Sequence, residues 1–224
     1  MQTASHKRFS CRREAGRALA KLLEKYVGDP ETVVLALPKG GMEVGAEIAH
    51  LLGLPFDVLL VDRITAPGRG DTTLGAITSG GVRMLNCAMI DRLHLSDEDV
   101  CRAVLKKSVR LARRERLYRS QRPSIDVADR TVILVDDGSS SCATLRNSIR
   151  LLHRQHVDHV IVAVPVTCHH AACDLRMEAD EVVSLMEPSA QAPPAKWFES
   201  FPPTSSAEVR DILREEFVEA GSHN

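Results

Sequence analysis

Short, almost wholly apolar runs alternate with helical stretches along the chain, and this alternation limits the possible folds more than any other feature. The first run, TVVLAL at 32–37, precedes an amphipathic stretch at 42–52 with Gly53 as its C-cap, and a second apolar run follows at 56–61. Strands this apolar are typically covered on both faces, and such a strand–helix–strand unit predicts a parallel pair with a right-handed crossover. The sequence therefore predicts an α/β fold, with a Rossmann-like parallel sheet flanked by helices.

The remaining segments continue the same pattern. Further apolar runs predict strands at 131–135, 159–166 and 181–186, and helical spacing predicts helices at 11–27, 96–119, 143–154 and 205–220. Capping boxes mark the starts of two of these helices, at Ser96 with Asp99 and at Ser205 with Glu208. The turn-rich stretch 62–71 predicts a mobile loop, and a hairpin is expected at about 74–85.

Composition favours one globular domain, because 224 residues with 44% apolar residues suffice for a single core. We expect that domain to occupy residues 1–224. The formal charge of −1 gives no reason to expect nucleic acid or an anionic membrane as a partner. The N-terminus lacks the apolar core of a signal peptide, so a cytoplasmic location is expected. The six cysteines are too sparse for a disulfide scaffold.

The most informative segment is VILVDDGSSSCAT at 132–144, which predicts a strand, a polar loop and the first turn of a helix. Unpaired backbone N–H groups at a helix N-terminus bind phosphate, and the hydroxyls in this loop are further donors. Asp136 and Asp137 are suited to sugar hydroxyls, directly or through a metal ion. A phosphorylated ribose would suit both parts of the segment, its phosphate at the loop and its hydroxyls at the two carboxylates. The alternative is an ordinary turn with N-cap residues.

This segment resembles the phosphoribosyl-pyrophosphate motif of the type I phosphoribosyltransferases. The resemblance implies that Asp136 and Asp137 face the ribose 2′- and 3′-hydroxyls and hold Mg²⁺, directly or indirectly. It also implies that the following loop surrounds the 5′-phosphate, through Gly138, Ser139, Ser140, Ser141, Cys142, Ala143 and Thr144. Members of the family usually have Thr-Gly at the positions of Ser141 and Cys142, and a branched apolar residue at Ser139.

A second candidate anion site is Pro38-Lys39-Gly40-Gly41, which also lies between a strand and a helix. In the resembling family a comparable loop binds pyrophosphate, often through a cis peptide, and Lys39, Gly40 and Gly41 match it. Alone, a glycine pair after a strand is more often only a tight turn.

Arg63, just beyond the predicted strand at 56–61, is a candidate for binding the leaving diphosphate, and the 64–73 loop with Arg69 is a candidate lid. The family has two consecutive basic residues here, whereas this chain has Asp62 before Arg63. The alternative interpretation is solvated loop charges.

Nearly the whole chain resembles a stand-alone group of bacterial phosphoribosyltransferases, through RREAGRALA near the start, the glycine loop, the helix ending ERLYR, and KWFESF. The resemblance implies a type I phosphoribosyltransferase fold with a hairpin or flexible loop and a C-terminal helix. It implies transfer of 5-phosphoribosyl from phosphoribosyl pyrophosphate to a nitrogenous acceptor with Mg²⁺, catalysed by Asp136, Asp137, Lys39 and Arg63. A homodimer is a candidate assembly. The rivals are a non-catalytic phosphoribosyl pyrophosphate or nucleotide-binding regulator, and a hydrolase or phosphorylase that uses Asp137.

Three weaker signals remain. Cys168, His169, His170 and Cys173 are candidate zinc ligands, but their spacing is not the recognisable one of a four-ligand structural zinc site. The basic residues at 106–119 are typical of a solvated helix face and are less suited to nucleic acid. The aromatic side chains of Trp197, Phe198 and Phe201 are expected to pack beneath the C-terminal helix rather than stack on a base.

Overall fold

A computed structural model describes residues 8–69, 71–120, 122–138, 142–190 and 192–221. The α-helices are α1 (Arg12–Leu22), α2 (Gly41–Leu52), α3 (Cys87–Arg92), α4 (Asp97–Arg119), α5 (Ala143–His153), α6 (His169–Arg176) and α7 (Ser206–Gly221). The strands are β1 (Thr32–Ala36), β2 (Phe56–Val58), β3 (Val61–Thr65), β4 (Thr73–Thr78), β5 (Arg83–Leu85), β6 (Thr131–Val135), β7 (His159–Val166) and β8 (Glu181–Met186). Two 3-10 helices lie at Glu24–Tyr26 and Pro194–Trp197.

The main sheet has five parallel strands in the order β2-β1-β6-β7-β8. Its register places Ala36, the last residue of β1, beside Val135 of β6 and beside Val58 of β2. The carboxyl ends of these strands therefore lie side by side at one edge. The predicted α/β fold with a parallel sheet flanked by helices is confirmed.

Alternation along each buried strand supplies a core on both faces of the sheet. In β1, Val34 and Ala36 pack with α1, α2 and α7, whereas Val33 and Leu35 pack on the opposite face with α5 and α6. All five residues of β1 are buried, which explains why the strand is a continuous apolar run.

The second sheet contradicts the prediction of one strand over 56–61. The chain leaves the main sheet after Val58 and enters an antiparallel three-stranded sheet, β3-β4-β5, at Val61. The prediction of a loop at 62–71 was wrong over its first residues, which belong to β3 and pair with β4. An apolar run shows burial but does not show a change of sheet, because both sheets share the same core.

Helix α4 is fastened to the two sheets by buried or partly buried ion pairs. Near its C-terminus, Arg119 donates a 2.9 Å hydrogen bond to Asp57 and a 2.6 Å bond to the carbonyl of Val58. Arg119 and Asp57 are both buried, so loss of one partner would strand the other charge in the core. Within the described ranges, no helix is both long enough and apolar enough to cross a membrane.

Several helix predictions needed adjustment. The predicted helix at 11–27 is α1 followed by the short 3-10 turn, and the apolar side chain of Leu22 at the end of α1 is 53% exposed. The capping box at Ser96 and Asp99 is confirmed. Helices α3 and α6 were not predicted, since each is short and has no long amphipathic pattern.

Candidate active site

The two loops predicted to bind anions meet at the point in the main sheet where the strand order reverses, between β1 and β6. From β1 the chain crosses outward to β2, whereas from β6 it continues to β7 and β8 on the other side. Ligands of open α/β sheets bind at the carboxyl ends of the strands where this reversal occurs. The Pro38–Gly41 loop follows β1, and Asp136-Asp137 follow β6. The structure therefore brings these two predicted sites together.

The second loop and the end of β6 lie so close to the glycines of the first loop that no side chain fits at those positions. A Cβ atom at Gly40 would overlap the Oδ2 atom of Asp137, and one at Gly41 would lie 2.8 Å from the carbonyl oxygen of Val135. Gly40 itself has an ordinary helical conformation, with φ −68° and ψ −33°. The Pro38–Lys39 peptide bond is cis. Here glycine supplies space rather than conformational freedom.

Asp136 and Asp137 form a pair of neighbouring carboxyl groups. Burial, and secondly the negative charge of Asp137, raise the pKa of Asp136 well above its ordinary value. Two carboxylates in this arrangement repel each other unless a cation or hydrogen-bond donors lie between them. The site is therefore suited to a group that brings positive charge or hydroxyl donors.

Arg12 supplies one such donor and was missed by the sequence reasoning. Its Nε atom donates to Oδ2 of Asp137 at 2.8 Å, and its Nη1 atom donates to the carbonyl of Pro202 at 2.7 Å. The guanidinium also lies 3.7 Å from the ring centroid of Phe201 and 3.4 Å from Glu43. Arg12 is only 4% exposed, so it joins α1, α2 and the segment before α7 to the carboxylate pair.

A signal for Arg12 was present in the sequence. Arg12 precedes Ala15 by three positions and Leu19 by seven, which places it on the buried face of α1. A charge on the apolar face of a helix is buried only when it has partners. That position marked Arg12 as a residue with a buried acidic partner elsewhere in the chain.

The second half of the phosphate loop is described only in part. Ser139, Ser140 and Ser141 lie outside the described residues. Gly138 has a φ of +124° and Cys142 a φ of +50°, so both positions require backbone conformations that favour glycine. Ala143 and Thr144 begin α5 and are exposed, which leaves the helix N-terminus accessible to an anion.

Cys142 is accommodated because its side chain points into the core. The residue is fully buried among the apolar side chains beneath α5, and its Sγ atom lies 3.3 Å from Oγ1 of Thr167. Position 142 therefore has a backbone conformation that favours glycine, but the cysteine side chain does not lie on the exposed side of the loop.

Lys39, Arg63 and Arg69 are exposed, and none forms an ion pair with another described residue. Asp62 is paired instead with α4, at 3.4 Å from Arg110 and 3.5 Å from Arg114. This pairing accounts for the acidic residue beside Arg63 and for two arginines of the basic helix. In the described part of the chain, no hydrogen bond or ion pair joins Arg63 to the Pro38–Gly41 loop.

The other residues considered in the sequence analysis, those of the CHHAAC segment at 168–173 and the aromatic residues near 197, make packing contacts. Cys173 contacts His169 at 3.8 Å, but the described residues contain no group of three His, Cys, Asp or Glu side chains arranged to hold a metal ion. Trp197 and Phe198 are buried with Ala15 and Val166, and Phe201 lies 4.8 Å from Phe198. None of the six cysteines forms a disulfide.

Comparison with known proteins agrees with this arrangement. Residues 10–195 match the model of the phosphoribosyl transferase domain. Two Mycobacterium tuberculosis proteins, from strains CDC 1551 / Oshkosh and ATCC 25618 / H37Rv, bear the provisional name phosphoribosyl transferase. Each is 33% identical over 219 residues, which is 96% of this chain and 49% of the relative. The chain thus spans about half the length of the curated relatives it matches.

A solved structure extends the agreement to three dimensions. The crystal structure of TT1426 from Thermus thermophilus is 34% identical and superposes with a TM-score of 0.81, covering 93% of this chain and 98% of that one. The predicted type I phosphoribosyltransferase fold is confirmed. With the family model matched over most of its length, the chain belongs to the phosphoribosyl transferase domain family.

Proposed function

We propose that the protein transfers a 5-phosphoribosyl group from phosphoribosyl pyrophosphate to a nitrogen atom of a small acceptor, with Mg²⁺. The observation that carries the proposal is the contact between Gly40 and Asp137, which joins the two predicted anion loops around one crevice. A donor with a diphosphate at C1′ and hydroxyls at C2′ and C3′ needs cations and carboxylates in such proximity. The family membership supports the same reaction class.

In the proposed reaction the bond between C1′ and the diphosphate oxygen breaks, and its electron pair leaves with the diphosphate. An acceptor nitrogen forms the new bond to C1′ and loses its proton to solvent. Lys39 and Arg63, which have no described ionic partner, would stabilise the charge that builds up on the leaving group. Asp136 and Asp137 would accept hydrogen bonds from the ribose hydroxyls and hold the ring in position.

Mg²⁺ suits the carboxylate pair. Mg²⁺ is usually held by one or two carboxylates together with substrate phosphates and water. Asp136 and Asp137 supply two carboxylates, and the pKa of Asp136 is raised by burial and, secondly, by the negative charge of Asp137. When bound, the ion would neutralise negative charge on the diphosphate. These two residues are the ones we propose as its protein ligands, directly or through water.

The 5′-phosphate would lie at the N-terminus of α5. The first N–H groups of this helix and the exposed Thr144 are the described donors there, and Gly138 and Cys142 shape the approach to them. Cys142 leaves that surface free because its side chain is buried against Thr167.

A non-catalytic protein that binds phosphoribosyl pyrophosphate or a nucleotide is the second candidate. The Arg12–Asp137 ion pair favours it, since a guanidinium already occupies one of the oxygens proposed for ribose. Such a protein would bind the donor without releasing pyrophosphate.

Calorimetric titration with phosphoribosyl pyrophosphate and Mg²⁺, followed by pyrophosphate-release assays over a panel of bases, tests both candidates. We expect binding that needs Mg²⁺, and an Asp137→Asn variant at least about tenfold weaker, because charge-assisted hydrogen bonds to the ribose are lost. Asp91→Asn, at an exposed carboxylate of α3, is the matched control. Binding without turnover on any base would favour the second candidate, and no binding would exclude both.

A further inference from the structure

Helix α4 carries a row of apolar residues on its exposed face. This row and the charged residue at each of its ends form the α4 stripe, whose six members are Glu98, Cys101, Leu105, Val109, Ala112 and Arg116. They recur at intervals of three or four positions, so they lie on one face of the helix, and all six are exposed. The stripe therefore has an apolar middle, an acidic end and a basic end.

The two large apolar side chains in the middle of the α4 stripe are unusually exposed. Leu105 is 64% exposed and Val109 is 63% exposed, and among the large apolar side chains of the described residues only Met177 is more exposed. Met177 is a single residue at the C-cap of α6, whereas Leu105 and Val109 lie one turn apart and form a continuous surface. Clustered apolar exposure of this kind indicates an interaction surface, whereas a single exposed residue does not.

The two ends of the α4 stripe carry opposite charges. Glu98 lies in the first turn of α4 and pairs with Arg102, one turn further on, at 2.8 Å. Arg116 lies in the last turn and forms no ion pair with another described residue. A surface with opposite charges at its ends is complementary to a second copy of itself turned end to end, because each acidic end then meets a basic end.

We propose that two copies of the chain associate through the α4 stripe, with the two helices antiparallel and related by a twofold axis level with Lys107. Leu105 then packs on the partner's Val109, and Glu98 lies opposite the partner's Arg116. Leu105 and Val109 are each two positions from Lys107, and Glu98 and Arg116 are each nine positions from it, so one axis produces both contacts. The inference concerns the assembly of the chain and does not rest on the proposed reaction.

The same charges disfavour the other arrangements. In a parallel pair, Arg116 would lie against the partner's Arg116 and Glu98 against the partner's Glu98, and like charges placed together oppose association. Nucleic acid along the stripe would bring phosphate groups against Glu98. Helix α4 has 23 residues and is about 35 Å long, so the antiparallel pair is a contact between two helices over that length.

Sedimentation equilibrium of the full chain tests the association. We expect a reversible dimer with a dissociation constant on the order of 10 µM, because a single pair of helices gives an interface at the small end of the specific ones. A double variant, Leu105→Gln with Val109→Gln, should raise this constant at least about tenfold, because each copy loses two apolar contacts. Met177→Gln, at an exposed apolar residue outside α4, is the matched control and should stay within about twofold of the parent.

Three results would overturn the inference. The first is a chain that stays monomeric at about 1 mM, which would leave the stripe to an acidic partner protein. The second is a dimer whose dissociation constant the double variant does not change, because the dimer would then use another surface. The third is an equal loss in the control variant. Since all the substituted residues are exposed, thermal unfolding should match the parent and show that each variant is folded.

Charge reversal tests the orientation of the two helices. Glu98→Lys alone and Arg116→Glu alone should each weaken the dimer about tenfold, because like charges then meet at both ends. Mixed in equal amounts, the two variants should regain the affinity of the parent, since both ends of the mixed dimer again join opposite charges. A mixture that associates no better than either variant alone would contradict the antiparallel arrangement.

Discussion

The loops that follow β1 and β6 meet at one crevice, yet different constraints determine their residues. In the first loop Gly40 has φ −68° and ψ −33°, a conformation open to any residue, and only the neighbouring Asp137 excludes a side chain. In the second loop Gly138 and Cys142 have φ values of +124° and +50°, and conformation is the main restriction.

This difference shows that glycine can be required after a strand for two distinct physical reasons, lack of space or backbone conformation. A contact constraint couples two loops, so a change in one displaces a functional group in the other. A conformational constraint is local, and a non-glycine residue can satisfy it when its side chain has a buried place. Cys142 does so by packing against Thr167.

Gly40→Ala is expected to have the largest effect on the site. The added methyl group would overlap the Asp137 carboxylate, so either the Lys39 loop or Asp137 must move. We expect affinity for phosphoribosyl pyrophosphate to fall at least about hundredfold, since such overpacking shifts the backbone. Calorimetric titration with Mg²⁺ present measures the change.

Gly80→Ala is the control for this variant. A Cβ at Gly80 would meet nothing closer than Thr78 Oγ1 at 3.9 Å, so affinity should stay within about twofold of the parent. If Gly40→Ala bound the donor as tightly as the parent does, the close contact between the loops would not matter for donor binding.

Arg12→Gln is expected to have the next largest effect, mainly on stability. It leaves Asp137 without its 2.8 Å partner and removes the bond to the Pro202 carbonyl. Arg12 is almost fully buried and Asp137 is 16% exposed, so we expect the free energy of unfolding to fall by about 2–3 kcal/mol. Denaturant unfolding gives this value.

Arg17→Gln, on the same helix, is the matched control for Arg12. Arg17 is 60% exposed although it pairs with Glu47 at 2.7 Å, so its loss should leave the free energy of unfolding nearly unchanged. Similar losses in the two variants would contradict a special role for the buried guanidinium at the carboxylate pair.

Most of the main sheet could be predicted from the sequence, because strands covered on both faces are continuous apolar runs. The three runs at 32–37, 131–135 and 159–166 correspond closely to β1, β6 and β7. Because β1 and β6 are parallel neighbours, the glycine loop and the carboxylates that follow them lie at the same edge of the sheet. These parts of the fold follow from the local apolar pattern and from the parallel strand direction that the alternation of strands and helices implies.

The parts that failed depend on contacts between distant residues. The run at 56–61 is divided between two sheets because Val58 pairs with β1 whereas Val61 pairs with β4. The partners of Arg12 lie 125 and 190 positions away in the chain, at Asp137 and Pro202. Neither relationship produces a periodicity, so local pattern does not identify it.

Substitutions at Cys142 give the smallest expected effects and test the conformational side of the comparison. Cys142→Ala keeps the positive φ and loses a buried side chain, so it should destabilise the fold by about 1 kcal/mol. Cys142→Gly loses the same side chain but removes the penalty of about 1 kcal/mol for a non-glycine residue in the left-handed region.

Gly at position 142 should therefore be more stable than Ala by about 1 kcal/mol and close to the parent in unfolding free energy. Donor affinity should stay within about threefold of the parent in both variants, because the side chain at this position lies in the core and away from the anion surface. Thermal unfolding and calorimetric titration measure the two quantities. A large loss of affinity in Cys142→Gly, with stability unchanged, would show that the cysteine itself shapes the phosphate loop and would place this position among the contact-constrained ones, beside Gly40.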